Sequence, residues 1–195
     1  MDIYREFERR PPRERLDSLD AVVRDWKWRV DGSHLKRDGV VEWTAAAGTW
    51  YVAVHRAVFS RDARGKMHNH QTKVPVAIKT LLFREIMKSS LPVDVRSFDH
   101  LYDVIASFRI WGIGSVTVYD VSVRIGAWLQ LEPDSLYLHA GVKQGWKALG
   151  LPRWDSVRVY REDWPLAFQS MPADELEDFI CTYRLLFKRE GLKGG

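Results

Sequence analysis

The sequence predicts a mainly α protein, a single compact helical domain of about seven helices spanning residues 1–195. Three observations carry that expectation. Apolar residues recur at spacings of three and four through most of the chain, the period of a helix that buries one face. Pro75, Pro92, Pro133, Pro152 and Pro172 fall between those stretches, where a helix has to stop or start. Only Ser156–Tyr160 alternates with the period of a strand, and one isolated strand makes no sheet. Within the domain, residues 1–95 form an N-terminal helical half with a basic loop, 96–151 a central pair of helices with their flanks, and 152–195 the C-terminal helix.

Taken in order, Pro11 and Pro12 follow a charged leader, and Leu16, Leu19, Val22, Val23 and Trp26 then mark a first amphipathic helix. From Val40 to Phe59 the apolar positions Trp43, Ala46, Ala47, Trp50, Tyr51, Val54 and Val58 keep helical spacing and predict one continuous helix. Residues 60–71 are polar and without period, a loop. Pro75 opens the next helix, which runs to about Lys88. Ser97 is a candidate N-cap for a helix whose buried stripe is Phe98, Leu101, Val104, Ile105 and Phe108. Beyond Gly112 and Gly114, Val118, Val121, Ile125 and Leu129 form another stripe, and a further helix is expected from about Ser135 to Leu149, closed by Gly150. The last, Ala173 to Lys188, begins among acids and ends on Lys188 and Arg189, matching the helix dipole.

Composition sets the bounds on function. With 46% hydrophobic and 29% charged residues, usage is that of an ordinary globular chain and excludes disordered or fibrous classes. The formal charge is +4, which permits an anionic partner without requiring one. The one cysteine, Cys181, excludes an internal disulfide and a thiolate zinc site, and no cofactor motif is present. The charged first ten residues do not read as a signal peptide, and no apolar run reaches the roughly 20 residues a membrane span needs. A cytoplasmic location is expected, with no membrane partner.

Charge is unevenly spread. Residues 56–88 carry eight basic side chains against Asp62 and Glu85, a net +6 that exceeds the whole chain. Arg64, Lys66, His68 and His70 sit in its polar loop, either as a solvated surface or as contacts to an anion. The His pair lacks a third fixed ligand in sequence, so no metal site is assigned.

The stretch Phe108-Arg109-Ile110-Trp111-Gly112-Ile113-Gly114-Ser115-Val116-Thr117, between two amphipathic helices, resembles a helix-hairpin-helix DNA-binding motif. Glycine has no side chain to hold a phosphate away, and the amides that open the following helix point at the anion. In that frame Gly112 and Gly114 form the hairpin, Ile113 plugs between the helices, and Ser115 and Thr117 cap the second helix and donate to phosphate oxygens. The implied partner is duplex DNA, bound through its backbone with weak sequence preference.

Over residues 97–151 the order of elements also partially resembles the helix-hairpin-helix DNA glycosylase superfamily. About twenty residues beyond Gly114, counting places the family's catalytic Asp at Asp134, whereas aligning on its Asp-x-His pattern sets Tyr137 opposite the Asp and His139 opposite the His. The resemblance implies a monofunctional base-excision enzyme, with Asp134 stabilising the positive charge that develops on the sugar. The same Asp134 also fits an ordinary helix N-cap. Two other classes stand beside the enzyme: a non-enzymatic nucleic-acid-binding or assembly protein, and a helical protein–protein module.

Overall fold

The structure is a computed structural model that describes residues 15–31, 39–68, 71–152 and 157–194. The charged leader with Pro11 and Pro12, and His70 in the basic loop, lie outside the described residues. The described residues are 61% helical and 4% strand, as the periodicity predicts. It falls into two compact units, residues 37–133 and a discontinuous unit of residues 1–36 with 134–195.

Among the described residues, the first helix of the discontinuous unit is α1 (Leu19–Asp31). Its Trp26 packs edge-on against Phe179 and Tyr183, and its indole N–H donates to Glu175 Oε1 at 2.8 Å. Asp25 accepts from Arg29 Nε at 2.7 Å and from the Tyr183 hydroxyl at 2.6 Å, so the buried carboxylate is both paired and hydrogen-bonded. Burial and the neighbouring Asp25 push the Tyr183 hydroxyl well above the usual phenol range.

After the excursion through the other unit, β1 (Leu136–Tyr137) pairs antiparallel with β2 (Arg158–Val159), Leu136 facing Val159. This corrects two expectations. The helix expected from Ser135 begins only at Ala140, as α7 (Ala140–Ala148), because Leu136 and Tyr137 pair with β2 as a strand instead. The short strand in 156–160 does have a partner, a two-residue one that sequence period cannot reveal.

The unit is closed by α8 (Ala173–Glu190), whose Phe179, Tyr183 and Phe187 form the centre of the core. Pro172 precedes it, Asp174 and Glu175 occupy its first turn, Lys188 and Arg189 its last, and Gly191 ends it at φ +63°.

The continuous unit contains α2 (Gly39–Ala45), α3 (Trp50–Phe59), α4 (Val76–Lys88), α5 (Phe98–Ser107) and α6 (Ser115–Leu129). The single helix expected over 40–59 is two. The break falls at residues 46–49, where Thr49 takes extended backbone and its hydroxyl accepts from Val52 N–H as an N-cap. Helix α6 is central and packs against α2, α3 and α5, while α4 lies on α3. At Gly126 a Cβ would lie 2.6 Å from the Leu131 carbonyl and 3.2 Å from the Phe98 ring, so glycine lets the end of α6 fold back on itself. Trp128 donates to the Ala47 carbonyl at 2.8 Å and so ties α6 to the α2–α3 turn.

Candidate nucleic-acid interface

The segment with Gly112 and Gly114 is a turn that joins α5 to α6. Ser97 caps α5, accepting from His100 N–H at 3.2 Å, and the helix ends at Phe108. Arg109 then turns at φ +47°, and Ile113 N–H closes on the Ile110 carbonyl at 3.0 Å. Gly112 holds φ +87° at the third position of that turn, which glycine adopts without steric cost. The other glycine has a different role. Gly114 lies at φ −91° in ordinary extended backbone, and a Cβ there would meet nothing within 4 Å. One glycine makes the turn, and the other leaves the surface open.

Ser115 and Thr117 do not cap α6. Its N-cap is Gly114, with no side-chain hydrogen bond, and Ser115 is already helical. Thr117 is only 6% exposed, because α6 buries most of its circumference against its neighbours. Ile113 is half-buried. Trp111 stands out at 89% exposure at the tip of the turn, beside the exposed Arg109. The hairpin leans on α4, where Ile78 lies 3.7 Å from the Gly112 Cβ position.

The basic loop belongs to the same unit. It is a tight turn in which Asp62 Oδ1 accepts from Arg64 N–H and Lys66 N–H, both at 2.9 Å, and Arg61 donates to the Gly65 carbonyl at 2.7 Å. The Asp62 charge is thereby satisfied within the turn, and Arg64 and Lys66 are exposed. His68 turns inward: its Nδ1 lies 4.0 Å from Asp120 Oδ2 on α6, and Gln71 Nε2 donates to the same oxygen at 2.8 Å. The loop and the hairpin therefore share α6 and α4 as supports.

Beneath the loop lies a polar cluster that sequence reasoning missed. Lys79 on α4 is 1% exposed, and its Nζ donates to Met67 Sδ at 3.3 Å. Arg124, equally buried, donates to Ser60 Oγ at 2.7 Å and to the Ala57 carbonyl at 3.2 Å. Burial first, then the nearby Arg124 and Arg61 charges, lower the Lys79 pKa. Position 79 is three residues before the buried Leu82, a signal that this lysine shares the apolar stripe.

Asp134 is exposed at the start of the strand segment and accepts from Ser135 Oγ at 3.0 Å. It caps no helix, since α7 begins six residues later behind His139. His139 is buried and bonded through Nε2 to Glu177 Oε1. Among the described residues no group of three or more His, Cys, Asp or Glu side chains is placed to hold a metal ion. Comparison with protein families, curated proteins and solved structures finds no match for this chain. No helix of the described residues is long and apolar enough to cross a membrane.

Proposed function

We propose that residues 37–133 bind duplex DNA through the phosphate backbone, with the hairpin of Trp111, Gly112, Ile113 and Gly114 as the contact. One observation carries the reading: the hairpin presents an open backbone at Gly114, a first turn of α6 capped by no side chain, and a Trp111 ring with almost no protein around it. A backbone without side chains in front of it, aimed by a helix N-terminus, suits an anion. An exposed indole beside it suits the sugar and base edges that flank a phosphate. Arg64 and Lys66 supply further positive charge from the same unit, and Ser115 is the one hydroxyl of the expected pair that reaches the surface.

The reading is of docking. Asp134 is open to water, so it lacks the desolvated setting in which a carboxylate strongly stabilises a developing sugar cation. A cytoplasmic location, where Cys181 stays reduced, accords with the same reading.

Binding to a labelled duplex, measured over a range of salt, tests the proposal. Affinity is expected to fall steeply as salt rises, because neutralised phosphates release counterions. Gly114→Val places a branched side chain in open space at an ordinary φ, so the fold survives while the close approach is blocked. We expect affinity to drop by about tenfold or more, the loss of one or two backbone contacts. Unchanged affinity in the folded variant would remove the hairpin as the contact. Reversing charge at Arg64 and Lys66 is expected to weaken all sequences alike and to reduce the salt slope by about two.

A further inference from the structure

The same unit carries a second feature that the hairpin does not use. An open groove of about 450 Å³ runs along α3 and the turn of the basic loop, lined by Trp43, Tyr51, His55, Arg56, Phe59 and Arg61 among others. Its walls are planar rings and guanidinium groups. Tyr51, 57% exposed, and His55 lie one helical turn apart with ring planes within 15° of parallel. Phe83 braces both edge-on, at 5.3 Å from Tyr51 and 6.0 Å from His55. Next to His55 on the same helix, the Arg56 guanidinium sits 3.5 Å from the Trp43 ring centroid and donates to the Trp43 carbonyl, so its plane is fixed. The acid in the lining, Asp62, is bound to its own turn, and the two lining cations, Arg56 and Arg61, outnumber it and set the sign of the groove.

Flat, braced aromatic faces under a cationic rim match the chemistry of an unpaired nucleotide, whose base stacks and whose phosphates need positive charge. A purely apolar partner would leave the rim uncompensated, and an acidic peptide would leave the rings without a planar counterpart. We propose that this groove holds a single-stranded nucleic-acid segment, a base laid against Tyr51 and His55 and the flanking phosphates on Arg56 and Arg61. The inference rests on the nucleic-acid reading of the hairpin and deepens it: the unit would grip duplex at the hairpin and an unpaired strand at the groove.

The test compares a short oligothymidylate, a blunt duplex of the same length and heparin as an anion without bases, each titrated into the full chain. Tyr51→Ala and His55→Ala are expected to weaken oligothymidylate binding by about tenfold each, the usual worth of a stacked base, and to leave heparin and duplex within about twofold. Tyr51→Phe, which keeps the ring, should bind as the unsubstituted protein does. Circular dichroism confirms that each variant is folded. Oligothymidylate affinity unchanged in both alanine variants overturns the groove, as does an equal loss for heparin, which would mean charge alone. The two proposals separate cleanly. Duplex binding lost in Gly114→Val with no oligothymidylate binding at all retains the hairpin and discards the groove. Oligothymidylate binding that needs Tyr51, in a protein that ignores duplex, does the reverse, and a chain that binds neither discards both.

Discussion

Lys79 shows what a single residue can conceal. In sequence it is one of eight cations in a basic stretch; in the fold it is sealed beneath the loop, with a thioether as its hydrogen-bond acceptor. Its pKa is lowered from 10.5, so between the lowered value and 10.5 the folded protein has released a proton that the unfolded chain still holds. Unfolding in that window takes up a proton, and stability therefore rises with pH. Below the folded pKa the cost of keeping the charge buried is present in full. Lys79→Met removes the cost while filling similar space, and we expect about 1–2 kcal/mol of added stability near neutral pH. Denaturant midpoints measured from neutral pH upward should climb for the unsubstituted protein and stay flatter for the variant. Charge counting reads Lys79, Arg64 and Lys66 alike, because a charge does not declare which side of a helix it occupies. Tyr51 erred the other way: its spacing placed it on the buried stripe of one long helix, and once that helix breaks at residues 46–49 the stripe of α3 becomes Ala53, Val54, Ala57 and Val58.

At the level of elements, α7 and α8 meet more closely than their side chains suggest. Gly141 and Gly145 sit four apart on α7, and a Cβ at Gly145 would lie 2.5 Å from the Ile180 carbonyl oxygen, while one at Gly141 would lie 2.5 Å from Cys181 Sγ. The helices approach backbone to backbone. Gly145→Ala would force them apart, and we expect a loss of about 2–3 kcal/mol, as for overpacking in a tight core. Gly48→Ala, where nothing lies within 4 Å of the Cβ position, is expected to change stability by less than about 0.5 kcal/mol. Urea unfolding of the pair measures both. Helices with both a cap or a proline and an apolar stripe were legible in the sequence, as α4 from Pro75, α5 from Ser97 and α8 after Pro172 show. The start of α7 was not, because Leu136 and Tyr137 form a strand only through partners 23 and 21 residues away, Val159 and Arg158. A turn between α5 and α6 was legible from Gly112, whereas the extended conformation of Gly114 and the open groove were not, the groove because it depends on which helix faces are left bare.

At the scale of the whole molecule, periodicity shows that a face is buried and leaves open what buries it. The expected subdivision at residues 95 and 151 follows the order of the chain; the units of the structure follow contacts, and one of them is made from both ends. The continuous unit has its own buried centre on α6 and both features proposed to meet nucleic acid. We expect residues 37–133, produced alone, to give a helical circular dichroism spectrum and a cooperative melt, and to keep duplex affinity within about threefold of the full chain. A fragment that is folded but has lost binding would show that the other unit contributes to the contact. The division also bears on synthesis. Asp25 leaves the ribosome 158 residues before the Tyr183 hydroxyl that it accepts from. At the usual pace of translation, on the order of 5–20 residues per second, that wait lasts roughly 8–30 seconds. Throughout it, the indole of Trp26 lacks Glu175, Phe179 and Tyr183, and the carboxylate of Asp25 has Arg29 but not the Tyr183 hydroxyl, while the whole continuous unit emerges and has time to fold. The nascent chain therefore completes its middle before its beginning, with the apolar face of α1 held exposed until α8 arrives.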